Sequence, residues 1–561
     1  MAKSTKTRAS KQAYVSPVQG VLSCFEMPFS GKLATENRWV VLAGQLPWDL
    51  LVGIYLKQMN NDRTGAGSIN PRVALGSLII KHICDLSDRE TIQQIRENVY
   101  MQFFIGYSGF SHAAPFDPSL FVEIRNRLGI EQINAINEQV IRFIEDKRDK
   151  REKQEKQGKN SRSCSDCAAA VSRPLEQITE NSVKNVEEQP SGDISSGLVV
   201  AQEEDKSKDH IKESATVSPV THRGKMIIDA TVCPQDIAYP TDLNLLNDAR
   251  EKSEELIDLL YQEDLHGKKP RTYRRKARKL FLSEAQKKSS TARAIRKANK
   301  KQLSFLGRNI GHIHRLLDKY QRIPLDRRQY KYFLVIQTVF YQQEWMHQNK
   351  VHTIEHRIVS IHQPHVRPIV RGKRNAKVEF GAKIQVSWMN GYVFLDDLEW
   401  EAFNEGARLM ASVEKYRQRF GYYPAEVLAD KIYCTRENRN LLKGLNIKLR
   451  AKPLGRPSLS AAVEEHVRPG ERNPIEGVFG QGKTTYGMNR IKARLAHTSG
   501  SWIASILMVI NLVKTTGLIC HTLIFAVRTF SAWCYDFFEN RQEDEVPKLI
   551  WRFPVRVPAV T

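Results

Sequence analysis

The feature that most constrains this 561-residue chain is a long polar stretch in its first half. Residues 147–221 are rich in Lys, Glu, Ser and Gln, contain no Phe, Tyr or Trp, and show no sustained apolar period. A segment of this composition cannot bury enough apolar surface to offset the entropy of ordering it. We therefore predict a disordered linker over 147–222 and separately folded parts on either side.

The flanking segments give the remaining predicted boundaries. Residues 1–38 are predicted to be a basic flexible arm, because they lack the apolar core of a secretory signal. Residues 39–146 carry apolar side chains at helical spacing, which predicts an all-helical N-terminal domain, a kind of module that often binds DNA. Residues 223–530 are predicted to form an α/β domain, and 531–561 a C-terminal tail.

Within the N-terminal segment, the spacing of Ser87 and Glu90 fits a capping box that opens a helix. No helix in this segment can be named from its pattern as one that reads DNA bases. The segment is therefore assigned a fold but no specific DNA contact.

Charge points to a polyanionic partner. The chain has 86 Lys and Arg against 62 Asp and Glu, a formal charge of +24, which favours nucleic acid or an anionic membrane. The densest block is 268–301, with fifteen Lys or Arg against one acid, Glu284. We interpret it as a helical arm that follows phosphates, with a solvated helical insertion of incidental charge as the alternative. Its candidate phosphate ligands are Arg274, Arg275 and Lys276.

Cysteine content bears on disulfide bonds and zinc binding, and hydropathy bears on a membrane span. Eight scattered cysteines are too few for a disulfide framework and favour a reducing compartment. Cys164 and Cys167 form a lone C-x-x-C, which we interpret as two solvated thiols because a closed zinc site needs four ligands. The apolar stretch 505–527 is interrupted by polar residues such as Asn511, so we predict a buried helix, with a membrane-associated helix as the weaker alternative.

The segment 223–530 alternates strand and helix signals. An apolar run at 226–232 predicts a buried strand with one charged residue, Asp229, in its middle. Helical periodicity follows and predicts an insertion over about 243–360. Later signals predict a hairpin with an Asn-Gly turn at 390–391, a helix over about 401–420, a strand at 426–430, a helix from Thr435 to Gly444, and a strand at 447–450. This order predicts a mixed α/β sheet.

Three acids occupy suggestive positions in that order. Asp229 lies on the first strand, Asp430 ends the later strand, and Glu476 begins the helix after the last strand. Phosphoryl transfer on DNA can use two Mg²⁺ ions about 3.5–4 Å apart, held by such hard oxygen ligands. The alternatives are an ordinary polar strand end for Asp430, and for Glu476 a capping box with Asn473 as N-cap and Pro474 first in the helix.

Two cations flank Glu476. Arg472 lies just before the predicted helix, and Lys483 lies seven residues after the acid, about 10 Å along the axis of a regular helix. Gly480 and Gly482 in between lower the helical propensity of this segment. Cations on both sides of a metal-binding acid suit a DNA phosphate, so both are candidate phosphate ligands.

These residues resemble a known family. The run 472–483 (RNPIEGVFGQGK), followed by Tyr486, Gly487 and Arg490, is similar to the C-terminal signature of DDE transposases of bacterial insertion sequences, in the insertion-sequence five group and its relatives. Residues 229–243 and 427–430 resemble the first- and second-aspartate motifs of that group. Residues 71–75 and 86–90 resemble its helical N-terminal domain, and 379–383 a strand after the insertion. The wider family often has Tyr where this chain has Pro469.

The resemblance implies a ribonuclease H-like catalytic domain in which Asp229, Asp430 and Glu476 bind two Mg²⁺ ions, for which Mn²⁺ can substitute. It implies cleavage and joining of double-stranded DNA at transposon ends and target, by a homo-oligomer in the bacterial cytoplasm at the nucleoid. Neither a membrane nor a nucleotide cofactor is expected. The alternatives are a nuclease or resolvase of the same fold, and a transposase-derived DNA-binding protein that has lost its chemistry.

Overall fold

The computed structural model describes residues 32–57, 69–160, 222–370, 378–451 and 470–515. Several predictions concern residues outside these ranges: the greater part of the basic arm, most of the linker with its two cysteines, Pro469, residues 516–527 of the apolar stretch, and the C-terminal tail. The described residues contain the three candidate acids and all the predicted strands.

The described N-terminal residues are helical, as predicted. The helices are α1 (Arg38–Gln45), α2 (Trp48–Lys57), α3 (Pro71–Ile83), α4 (Asp88–Glu97), α5 (Val99–Phe104) and α6 (Leu120–Asn160). The Ser87 hydroxyl accepts a hydrogen bond from the backbone N–H of Glu90 at 3.1 Å, so one half of the expected capping box is present. Helix α6 kinks at Gly129, whose φ is 60°.

The start of the predicted linker is corrected by α6. This helix continues to Asn160, so the segment begins with helix and not with the disordered chain expected from residue 147. Lys, Glu, Gln and Arg are good helix formers, and adding a turn to an existing helix needs no new nucleus. The described residues of 32–145 and 222–515 form one compact unit.

A six-stranded mixed sheet forms the centre of that unit, as the strand order predicts. Its strands are β1 (Lys225–Pro234), β2 (Arg367–Val370), β3 (Val378–Met389), β4 (Tyr392–Glu399), β5 (Glu426–Leu428) and β6 (Lys448–Arg450). The spatial order is β2-β3-β1-β5-β6, and β4 also pairs with β3. β1 is antiparallel to β3 and parallel to β5, so the central strand joins an antiparallel half to a parallel half.

The predicted hairpin is confirmed. Asn390 and Gly391 connect β3 to β4 with φ values of 49° and 95°. A two-residue turn with both φ values positive matches the twist of the flanking strands, which explains the Asn-Gly sequence.

Helices cover the sheet and form the insertion. After β1 come α7 (Asp242–Leu260), α8 (Glu263–His266), α9 (Arg274–Ala285), α10 (Ala292–Leu317) and α11 (Arg327–Asn349). After β4 come α12 (Leu409–Phe420), α13 (Arg436–Gly444), α14 (Asn473–Thr485) and α15 (Ala496–Thr515). The Thr435 hydroxyl caps α13, as predicted. The insertion has its own apolar core, to which Leu246, Leu306 and Ile336 contribute.

Helix α15 joins the N-terminal helices to the sheet. It is buried from Thr498 to Val513, and its apolar side chains share one core with α3 and with β4. Among the described residues it is long and apolar enough to cross a membrane, but 89% of that window is buried inside the protein. The prediction of a buried helix is confirmed for the described part of 505–527.

The polar interruption in α15 has a structural role. The side-chain amide of Asn511 donates hydrogen bonds to the Val393 carbonyl of β4 at 2.7 Å and to Asn137 of α6 at 2.9 Å. Its oxygen accepts from the Val393 N–H at 2.8 Å. Because buried amides are costly when unpaired, these bonds fix the register of α15 against both neighbours.

A buried cation lies where α3 meets α15. The amine of Lys81 is 3.0 Å from Asp88, donates to the Leu86 carbonyl at 2.6 Å, and lies 4.4 Å from the Trp502 ring centre. Arg125 shares the Asp88 carboxylate through two hydrogen bonds of 3.0 and 2.9 Å. Burial lowers the pKa of Lys81 to about 8, although Asp88 opposes the change.

This pKa predicts a pH window. Below pH 8 the amine is charged in folded and unfolded protein, so the cost of burying it is fully present. Between pH 8 and 10.5 the unfolded chain binds more protons, so the free energy of unfolding rises with pH. In urea unfolding, the free energy of unfolding of the wild type should rise by about 3 kcal/mol across this window relative to that of Lys81→Met. Lys443→Met, on exposed α13, is the control and should show the same pH dependence as the wild type. If the free energies of unfolding of Lys81→Met and the wild type changed in parallel with pH, the assignment of this pH window to Lys81 would be wrong.

A second prediction concerns Gly381 on β3. A Cβ atom there would lie 2.0 Å from the Cys233 carbonyl oxygen on β1, so any larger residue must push the two central strands apart. We expect Gly381→Ala to lower the free energy of unfolding by about 3 kcal/mol. Gly53→Ala, in α2 with nothing within 4 Å of its Cβ, is the control and should change it by less than about 1 kcal/mol. Equal effects would refute the close strand contact.

Candidate active site

Strand register brings Asp229 and Asp430 together. Ile227 of β1 is paired with Leu428 of β5 in a parallel arrangement, and each acid lies two residues beyond its member of that pair. Alternate residues of a strand face the same side, so both acids continue the face of Ile227 and Leu428. The two predicted carboxylates therefore lie side by side, Asp229 within β1 and Asp430 just beyond the carboxyl end of β5.

Helix α14 lies on the same face of the sheet. Its residues Ile475 and Phe479 are buried in the core that also contains Ile227 and Leu428. This packing holds the first turn of α14 over the strand ends. Arg472, directly before the helix, is thereby directed at the two acids.

The guanidinium of Arg472 bridges both carboxylates. It lies 2.8 Å from Asp229 and 3.3 Å from Asp430. The Asp229 side chain is 19% exposed, whereas that of Asp430 is 59% exposed. Arg472, predicted as a phosphate ligand, is thus the counterion of the acids in this structure.

The electrostatics of Asp229 explain its need for a cation. Burial raises the pKa of Asp229, and the charges of Glu405 and Asp430 raise it further. Arg472 and a hydrogen bond of 2.9 Å from the Ala230 N–H oppose the rise without cancelling it. The strand thus holds a carboxylate whose ionised form depends on nearby positive charge.

Glu476 does not join this pair. It is exposed on the first turn of α14, and its carboxylate has no hydrogen bond or ion pair with the residues that the structure describes. Within those residues, no three His, Cys, Asp or Glu side chains lie close enough to hold a metal ion. The structure brings together two of the three predicted acids.

The capping-box alternative for Glu476 is wrong. The N-cap of α14 is Arg472, not Asn473, and no side chain caps the helix. The Asn473 N–H instead donates to the Gly470 carbonyl at 3.1 Å, so a backbone turn starts the helix one residue early. Capping gives no structural reason for an acid at position 476.

The remaining predicted cations differ in their surroundings. Lys483 is half-buried on α14, which runs unbroken through Gly480 and Gly482. Arg274 makes two hydrogen bonds of 2.9 Å to Asp258, so an internal carboxylate neutralises it. Arg275 and Lys276 are exposed on α9 and have no acidic partner in the described part of the chain.

Sequence reasoning missed three residues around the acids. Glu405 pairs with Lys383 at 2.9 Å, and its charge acts on Asp229. Tyr433, three residues after Asp430, is fully buried, and its hydroxyl has no hydrogen-bond partner in the described part of the protein. Burial, with Glu405 and Asp229 nearby, raises the pKa of Tyr433.

The position of Glu405 explains why it was missed. It was expected in a helix over about 401–420, but α12 begins only at Leu409, after a short 3-10 turn at Gly406–Arg408. Lys383 lies within the run 379–383 already singled out in the sequence, and Tyr433 follows Asp430 closely. For Tyr433, the available sequence signal was its position three residues after Asp430.

Comparison with known proteins identifies transposase sequence in two parts of the chain. Residues 427–513 match a family model described as a transposase DDE domain, and residues 28–127 match one described as a transposase domain. The first match contains Asp430 and Glu476, whereas Asp229 and the insertion lie outside both. The chain therefore carries transposase domains, which supports a transposase role.

A curated relative is an uncharacterized protein, ORF8 in the nfe locus of Rhizobium meliloti. It is 36% identical over 123 residues, which are 21% of this chain and 57% of that protein. The match thus spans little more than half of the relative's length. No solved structure is significantly similar to the chain.

Arg472 offers a direct test of the acid pair. Arg472→Gln should lower the free energy of unfolding in EDTA by about 1–3 kcal/mol, because two carboxylates lose their shared cation. Added Mg²⁺ should raise the melting temperature of this variant more than that of the wild type, since the ion replaces the lost charge. Arg490→Gln, which removes an exposed partner of Asp236, is the control. An equal Mg²⁺ effect in all three proteins would refute the cation site.

Proposed function

We propose that this protein is a DDE transposase of the insertion-sequence five group or its close relatives, cutting and joining DNA at the terminal inverted repeats of a mobile element. The observation that carries the proposal is the pair Asp229 and Asp430 on adjacent parallel strands, sharing one cation. Transposase domain sequence covers the second of these acids and Glu476.

The sheet supports a ribonuclease H-like fold for the catalytic part. An antiparallel hairpin lies on one side of β1, and two short parallel strands lie on the other. The insertion leaves after β1 and returns before β2, so it does not interrupt the parallel half that carries the acids.

The donor chemistry fits a hard divalent cation. Two carboxylate groups already share a single positive charge, at 2.8 and 3.3 Å from the Arg472 guanidinium. Asp229 and Asp430 would hold Mg²⁺ or Mn²⁺, and Glu476, one turn into α14, would complete the ligand set. Two such ions, when bound, supply positive charge to the attacking and leaving oxygens of a phosphodiester.

Arg472 would then change partner. Once its place between the acids is taken by other positive charge, its guanidinium is released beside them, where planar bidentate donors suit a phosphate. Lys483, about two turns beyond Glu476 on α14, would contact another phosphate of the same strand. In this scheme α14 aligns DNA with the acids at its own N-terminus.

The reaction needs no external source of energy. Hydrolysis breaks one P–O bond at the element's end as the oxygen of water forms another, which leaves a 3′-OH and a 5′-phosphate. That hydroxyl then attacks a phosphodiester of target DNA, forming one P–O bond as another breaks. Pairing two ends implies a homo-oligomer on double-stranded DNA in the cytoplasm, without a membrane or a nucleotide cofactor.

A second candidate function is DNA binding without chemistry. The observation that favours it is the exposed position of Glu476, apart from the other two acids. A transposase-derived protein that kept its DNA surface but lost its third ligand would have this arrangement.

Substitution of the acids tests the proposal. Asp229→Asn, Asp430→Asn and Glu476→Gln should each reduce cleavage and strand transfer by at least about a hundredfold, because each removes a charged metal ligand. The assay uses DNA carrying the element's own end, with Mg²⁺ or Mn²⁺, and DNA binding should be retained. Glu437→Gln, on α13, is the control acid and should remain active.

The other outcomes separate the alternatives. Cleavage without strand transfer from a 3′-OH oligonucleotide would identify a nuclease or resolvase. Binding without any cleavage by the wild type would favour the DNA-binding protein. Full activity of the three variants would overturn the assignment of the acids.

A further inference from the structure

A large open cleft lies beyond the end of β1. Its volume is about 1120 Å³, and it is bounded by the loop after β1, by α7 and α11 of the insertion, and by the residues just before α15. We call it the basic cleft, after four of its lining residues: Arg327, Arg328, Lys331 and Arg494. It is larger than a typical pocket for a small molecule.

Four of the five Lys and Arg side chains that line the basic cleft are unpaired in the described part of the chain, whereas the fifth, Lys252, is paired with Glu255. All four are exposed and have no carboxylate partner among the residues that the structure describes. Of the two lining acids, Asp236 is already paired with Arg490 at 2.9 Å, and Asp248 lies near His362. The cleft therefore presents unneutralised positive charge from two walls, α11 and the segment before α15.

Aromatic side chains lie between these charges. Tyr239 is 72% exposed, with its ring edge-on to Phe380 at 5.5 Å. Tyr332 lies under the guanidinium of Arg328 at 5.9 Å, and its hydroxyl contacts His362 at 3.0 Å. Exposed rings among unpaired cations are typical of surfaces that bind nucleic acid, where rings contact bases or sugars and cations contact phosphates.

The distance to the acids can be bounded. Strand β1 runs from Asp229 to Pro234 and continues to Asp236 at the floor of the cleft. Seven residues of extended chain span at most about 23 Å. Base pairs rise about 3.4 Å each along one strand of DNA, so the edge of the cleft at Asp236 lies within about seven base pairs of Asp229.

We propose that the basic cleft binds the sugar-phosphate backbone of duplex DNA on one side of the cleaved bond, within about seven base pairs of it. This inference rests on the proposed function, since it takes DNA as the substrate of the acid pair. It assigns a DNA contact to α11, which lies outside the densest basic block, 268–301. Within that block, Arg274 is neutralised by Asp258.

The experiment compares two matched double variants. Arg328→Ala/Lys331→Ala removes one Arg and one Lys from α11 in the cleft. Arg439→Ala/Lys443→Ala removes the same two charges from the exposed face of α13. Binding to a duplex of about 40 base pairs is measured by fluorescence anisotropy over a series of salt concentrations. The cleft variant should bind more weakly, and its log–log salt slope should be shallower than that of the wild type by about 1.8, or 0.9 for each lost phosphate contact.

A second measurement locates the contact. Neutral methylphosphonates replace phosphates within about seven base pairs of the cleaved bond, on one strand at a time. These substitutions should weaken DNA binding by the wild type and by the α13 variant. They should have little further effect on DNA binding by the cleft variant. Equal salt slopes for all three proteins, or equal sensitivity to the neutral phosphates, would overturn the cleft assignment while leaving the transposase proposal intact. Failure of the wild type to bind any duplex would instead overturn the proposed function.

Discussion

A buried carboxylate on the central strand is the constraint around which this fold is arranged. Asp229 lies in β1, between β3 and β5, where most neighbouring side chains are apolar. An ionised group at such a position is stable only beside a cation or several donors. The parallel pairing of β1 with β5 brings a second carboxylate, Asp430, beside the first, which increases the negative charge to be neutralised. Arg472, at the start of α14, neutralises it. The site is thus an electrostatic balance set by strand register and helix packing.

That balance depends on a core that the N-terminal helices share with the sheet, α14 and α15. The N-terminal helices do not form a separate body, because α15 packs against α3 and β4 at once. α14 contributes Ile475 and Phe479 to the same core, so the helix that carries Arg472 is held indirectly by the N-terminal helices. A loss of packing around Trp502 would therefore reach the acids through α15 and α14, without any direct contact.

Local sequence signals anticipated much of this. The Asn-Gly turn, the Thr435 cap and the period-two strands gave elements close to those observed, and the strand signals placed Asp229 within the first strand and Asp430 at the end of the later one. Features set by tertiary contacts were not accessible. Arg472 faces the acids because α14 packs on one sheet face, and Arg274 is neutralised by an acid 16 positions earlier. The cleft cations come from α11 and from a segment more than 160 residues later, so no sequence window could unite them.

The insertion illustrates how such a fold can change over time. The chain leaves the sheet after β1 and rejoins it at β2 and β3, and β3 is the direct neighbour of β1. Three of its helices, α7, α10 and α11, bury their apolar faces mainly against each other. The free energy of closing a loop between two fixed points grows only slowly with its length. The insertion can therefore lengthen, shrink or be exchanged without altering the register that pairs Asp229 with Asp430. Under the proposed function, DNA-end preferences could change in the insertion while the register of the two acids stays constant.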